Sequence, residues 1–143
     1  MGRALALFHY RTSACIALIN GKPPSVRLRF RTAIAAGGKV FVSSMVAFGL
    51  WYGVARSLQP DANRHRLEAF FGGPISLLAF DDEDAQSAGA IRAALEASGK
   101  PIGAYDLLIA GQALQRKFTL VTANVTEFAR AKGLAWQDWS KPY

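Results

Sequence analysis

The chain has 143 residues, 51% of them hydrophobic and 19% charged, the composition of a folded globular domain with one sizeable core and too little length for two. No stretch reaches the ~18 uninterrupted apolar residues of a membrane span, and the run Leu5-Ala6-Leu7-Phe8 is too short for a signal-peptide core, so a cytoplasmic protein without a membrane segment is expected. The net charge of +7 favours an acidic partner, either nucleic acid or an acidic protein segment.

Short β-rich runs alternate with helical stretches, and Gly or Pro separates them. Residues 5–10 read as the first strand. Ser13 is placed to cap a helix over 14–20, which Gly21 ends in a left-handed conformation. Cys15, the one cysteine, sits among Ala14, Ile16, Ala17 and Leu18 and is expected to pack rather than react. Pro23 and Pro24 break the chain before a helix that starts at Ser25 and carries Val26, Phe30, Ala33 and Ile34 on one face, and Gly37-Gly38 stops it.

Residues 39–43 form the second strand. Ser43 or Ser44 then caps a helix with Val46, Leu50 and Val54 inward, and Pro60 closes that element. Residues 61–71 suit a basic amphipathic helix, 74–80 a strand, and 82–98 a long helix whose acidic first turn complements the helix dipole. That cluster, Asp81 to Asp84, reads as solvated rather than metal-binding. Gly99 and Pro101 end the long helix, and the next runs from Asp106 to about Arg116. A strand over 119–122, a short helix or turn over 126–132 and an edge strand over 134–139 complete the chain. The alternation predicts a central parallel sheet covered by helices, in one domain over 1–143.

In an open parallel sheet the chemistry collects beyond the carboxyl ends of the strands. Arg11-Thr12-Ser13, the helix containing Gly49, the helix start at Asp106 and the strand end Thr122-Ala123-Asn124 are therefore expected to converge there. Taken alone, Asp106 reads as a carboxylate at a helix N-terminus, Asn124 as a turn former and Thr122 as a strand-end hydroxyl. His9 and His65 lack ligand-like spacing.

The run from Gly99 to Leu114, with Pro101-Ile102-Gly103-Ala104-Tyr105-Asp106 at its centre, followed by Leu120-Val121-Thr122-Ala123-Asn124-Val125-Thr126-Glu127-Phe128, resembles the PIN-domain ribonucleases, specifically the VapC-type toxins of bacterial toxin–antitoxin pairs. Thr12-Ser13-Ala14-Cys15-Ile16 and Leu50-Trp51-Tyr52-Gly53 extend the likeness nearly end to end. The resemblance implies a three-layer α/β/α fold and an Mg²⁺- or Mn²⁺-dependent endoribonuclease neutralised by a VapB-type antitoxin, commonly as a homodimer. In such a site clustered carboxylates hold a cation that activates water at an RNA phosphodiester. Asp106 and Asn124 are the implied metal ligands, with Thr122 beside them and Thr12 and Ser13 in support.

Two positions depart from the family pattern. Arg11 stands where the first aspartate is expected, and Gly49 stands where a helical glutamate is expected. A second expectation follows, a catalytically inactive PIN-fold module that keeps its antitoxin- and RNA-binding surfaces. Arg27, Arg29 and Arg31 are the candidate RNA contacts, weighed against being a helix's wet face. Phe30, Ile34, Val46, Leu50 and Trp51 are the candidate wall of an antitoxin groove. A generic doubly wound domain is a third possibility, disfavoured because no Gly-rich phosphate loop follows the first strand.

Overall fold

The computed structural model describes residues 5–8 and 14–141. The expectations for His9, Arg11, Thr12 and Ser13 lie outside the described residues, and that for Cys15 outside the described side chains. Five strands form one parallel sheet: β1 (Leu5–Phe8), β2 (Lys39–Ser43), β3 (Ile75–Leu78), β4 (Thr119–Val121) and β5 (Trp136–Gln137), in the order β3-β2-β1-β4-β5. Helices α1 (Ala14–Asn20), α2 (Pro24–Ala35), α3 (Ser44–Ala55), α4 (Pro60–Phe71), α5 (Asp82–Ala97), α6 (Ala104–Arg116) and the single turn α7 (Val125–Phe128) cover it. This is the α/β architecture that the alternating pattern predicts.

The inner strands are continuously apolar because a parallel sheet is covered on both faces. Val40, Val42, Leu120 and Val121 are buried, and Val26, Val46, Ile109, Ala110, Ala113 and Phe128 close over them. Phe41 stacks on Phe118 with ring centroids 4.9 Å apart.

Several boundaries differ from expectation. Pro24 and Pro60 open α2 and α4 rather than preceding or closing a helix, since a first-turn N–H has no intrahelical partner to lose and the ring presets φ. Of the two serines expected as the cap of α3, Ser43 takes the role by accepting from the Met45 N–H at 3.2 Å. α6 begins at Ala104, two residues before Asp106. β5 is only Trp136–Gln137 instead of six residues.

The acidic run at 81–84 is only partly solvated. Asp81 and Asp84 form a capping box at the start of α5, and the fully buried Asp84 takes a bidentate contact from Arg116 of α6, Nη2 to Oδ2 at 3.0 Å and Nε to Oδ1 at 3.2 Å. Burial alone pushes the Asp84 carboxyl up, but the Arg116 hydrogen bond and charge, the Asp81 N–H and the Gln112 amide together hold it below the usual aspartate value. Along the same joint Gly111 faces Ala88 so closely that a Cβ would lie 2.6 Å from the Ala88 backbone. Only glycine permits that approach of α5 and α6.

Candidate active site

The chain leaves β1 toward β2 and β3 on one side, then returns to place β4 and β5 on the other. The crevice of such a sheet opens where the order reverses, here between β1 and β4, beyond their carboxyl ends. Phe8 is in register with both Val42 and Val121, so the end of β1, the Ser43 cap of α3 and the turn Thr122-Ala123-Asn124 share one edge.

Asp106 reaches that edge from the first turn of α6. Gly103 is the extended N-cap and leaves the helix start open, with the nearest atom to a Cβ there being Asp106 Oδ2 at 4.0 Å. The Asp106 carboxylate is 3% exposed and lies where the helix dipole favours negative charge. Asn124 follows β4, and its Nδ2 donates to Asp106 Oδ2 at 3.3 Å and to Glu127 Oε2 at 3.0 Å. The Asn124 N–H in turn donates to Thr122 Oγ1 at 2.9 Å. Thr122, buried itself, thus fixes the turn that aims the asparagine.

The structure therefore brings Asp106, Asn124 and Thr122 together and adds Glu127, a residue the sequence reading passed over. The available signal was the spacing of Glu127 three residues after Asn124, which a single helical turn folds back onto the asparagine. Gly49 adjoins this group through its neighbour. Phe48 and Tyr105, which precede Gly49 and Asp106, stack with centroids 6.1 Å apart and an interplanar angle of 22°.

Other expected site residues are employed differently. Arg27 donates to the Leu18 and Ile19 carbonyls at 2.9 and 2.8 Å, closing the end of α1. Arg29 donates to the Asp138 and Lys141 carbonyls at 3.0 and 3.1 Å and lies over the Trp139 ring. Both guanidinium groups tie chain segments together, a role the sequence did not reveal; Arg31 is exposed on α2. The expected groove wall also needs correction. Val46 is fully buried and presents no surface, while Phe30 and Ile34 are half-buried against the core and Trp51 is exposed with its ring 6.1 Å from Phe71. The open cleft instead lies between α1, α3 and α4, where Leu50 does form part of the wall.

Asp106 and Glu127 can supply two carboxylates to a divalent cation, and Asn124 can add an amide oxygen if its side chain turns over. That donor set fits a largely hydrated Mg²⁺ or Mn²⁺, which is commonly held by one or two carboxylates. It is sparse, because among the described residues no group of three His, Cys, Asp or Glu side chains is placed to hold a metal. No helix among the described residues is long and apolar enough to cross a membrane.

Comparison with known proteins agrees with this geometry. The PIN domain family model matches residues 12–134. The chain is 40% identical over 133 residues to the tRNA(fMet)-specific endonuclease VapC of Shigella flexneri, covering 93% of this chain and 98% of that protein. Its fold superposes on DNA-bound VapBC from Salmonella typhimurium with a TM-score of 0.84 at 35% identity, covering 96% and 99% of the two chains. It superposes on VapBC2 from Rickettsia felis bound to a promoter DNA fragment with a TM-score of 0.83 at 30% identity, covering 94% and 97%. PIN-domain nucleases are in general dependent on divalent metal. With the family model spanning most of the chain and full-length relatives on both sequence and structure, this chain belongs to the PIN-domain family and, within it, to the VapC ribonucleases.

Proposed function

We propose that this chain is a single-domain VapC-type endoribonuclease toxin, restrained by a VapB-type antitoxin, that uses Mg²⁺ or Mn²⁺ to hydrolyse RNA phosphodiesters in the cytoplasm. The observation that carries the reading is the convergence of Asp106, Asn124 and Glu127 at the switch point of the sheet. Asp106 and Glu127 are the proposed cation ligands. When bound, the cation lowers the pKa of a water and neutralises charge on the phosphate. Asn124 holds the two carboxylates in register, and the Thr122 hydroxyl holds Asn124. The sheet edge and the first turn of α6 anchor the backbone that carries these groups. A homodimer, common in the family, is part of the same reading, and the exposed aromatic side chains Phe48, Tyr52 and Tyr105 near the site give it an apolar surface.

A second reading, an inactive module that retains antitoxin and RNA binding, is favoured by Gly49, which offers no ligand, and by the cationic Arg11 at an expected ligand position. The two are separated by assaying cleavage of single-stranded RNA with Mn²⁺ for the native chain and for Arg11→Asp/Gly49→Glu. The enzyme reading expects slow cleavage by the native chain, abolished by Asp106→Asn, and a large gain in the double variant. No cleavage by the native chain together with cleavage by the double variant establishes the inactive module, and no cleavage by either removes the nuclease reading.

A further inference from the structure

We infer that the stacked rings of Phe48 and Tyr105 form a platform for one unpaired nucleobase of the RNA, holding the nucleotide next to the scissile phosphate over the crevice. The inference rests on the nuclease reading above and names a positioning contact for that reaction. Phe41 and Phe118 also stack, but against the core. Phe48 on α3 and Tyr105 on α6 stack in the open, 57% and 51% exposed, with ring centroids 6.1 Å apart and planes 22° from parallel. Two large rings left in water gain little for the fold, whereas their near-parallel planes present the flat π surface that a base covers whatever its sequence.

Their place in the chain ties the platform to the chemistry. Tyr105 immediately precedes Asp106, and Phe48 immediately precedes Gly49. Successive helical residues point about 100° apart, so the Asp106 carboxylate turns inward, 3% exposed, while the ring beside it stays outside. Gly103, at the N-cap, puts no side chain over Asp106. A phosphate held at the carboxylate therefore leaves the adjoining base within reach of the rings. Tyr52, one turn beyond Phe48, is engaged by Arg56, which lies 5.5 Å from its ring centre, and neither Phe48 nor Tyr105 lines the cleft between α1, α3 and α4. The exposed halves of the two rings amount to about 200 Å², the scale of a base and well short of the roughly 800 Å² per partner in a stable dimer. The homodimer surface named above includes both rings, and the inference assigns them to the part of it that stays open over the crevice.

The test uses oligouridylates of about 12 nucleotides, within the range of single-strand binding sites, each carrying at one position a fluorescent adenine analogue whose emission falls when it stacks. Binding is measured in EDTA, so that no strand is cut. The native chain is expected to quench the analogue at one position along the strand, and to bind that strand about tenfold more tightly than one with an abasic residue there. Phe48→Leu and Tyr105→Leu keep the apolar surface but lose a ring; each should remove most of the quenching and weaken binding of the intact strand without affecting the abasic one. Phe48→Trp and Tyr105→Phe should retain both signals. Equal affinity for intact and abasic strands, quenching that survives both leucine variants, or equal losses on the two strands would each overturn the inference. So would a dimer, seen by sedimentation, that Phe48→Leu dissociates while RNA binding by the resulting monomer is unchanged, since the rings then belong between copies. RNA cleavage by Arg11→Asp/Gly49→Glu that is indifferent to an abasic residue at every position overturns it and leaves the nuclease reading intact. Neither binding nor cleavage of RNA by the native chain or that double variant removes the reading itself.

Discussion

Asn124 places one amide nitrogen within 3.3 Å of Asp106 and 3.0 Å of Glu127, between two carboxylates that would otherwise repel across the turn after β4. The amide relieves part of the repulsion that a cation relieves in a richer acidic site. Asn124→Asp should exchange that donor for a third carboxylate. Without metal the variant is expected to lose about 1–2 kcal/mol of stability through lost hydrogen bonds and added repulsion, and Mn²⁺ should restore it, with affinity roughly tenfold above that of the native chain. Thermal denaturation with and without MnCl₂ checks this; an unchanged melting temperature and unchanged metal response contradict it. Asp106 and Asn124 were legible in the sequence because each sits in a distinctive run at an element boundary. Glu127 was not, since a glutamate on a four-residue helix reads as solvated until the turn at Asn124 is known. The structural contacts of Arg27 and Arg29 were hidden for the opposite reason: arginines on an amphipathic helix look free until the chain segments they tie down, the end of α1 and residues 138–141, are in place.

The pairing of α5 with α6 is what presents Asp106 to the crevice. Gly111 lets the two helices touch at Ala88, and Asp84 and Arg116 lock the far end of the joint. Because the Asp84 carboxyl lies below its ordinary value of 3.8 in the folded chain, its stabilisation is fully present above that value and is lost as pH falls through the lowered one. Asp84→Asn is therefore expected to cost about 2–4 kcal/mol at neutral pH, by stranding Arg116 and weakening the cap. The native chain should then lose its advantage over the variant as pH falls below the ordinary aspartate range. Urea denaturation of both proteins across that range measures it; a stability difference independent of pH, or absent at neutral pH, contradicts the assignment. The helices were legible from periodicity and their stop signals from Gly and Pro, but this joint was not. A run of four acidic residues gives no sign of which carboxylate will turn inward, and that choice depends on an arginine more than thirty residues away.

At the scale of the whole molecule, the sheet order β3-β2-β1-β4-β5 converts residues distant in sequence into one edge. Parallel pairing was legible because buried strands of Val and Leu alternate with helices, and the edge strand at 134–139 was expected, whereas its shortness was not legible, since the exposed Trp136 and Gln137 give no clear two-residue period. The net charge of +7 suits the RNA substrate proposed above, and the surface around Asp106 is polar and carboxylate-bearing. The central claim is that a cation site of this family survives here in depleted form. Calorimetric titration with Mn²⁺ tests it most directly, using the native chain, Arg11→Asp/Gly49→Glu, and the same double variant carrying Asp106→Asn. Weak binding by the native chain, at least tenfold tighter binding by the double variant, and loss of that gain with Asp106→Asn are the expected results; equal Mn²⁺ affinity in all three proteins would contradict the account.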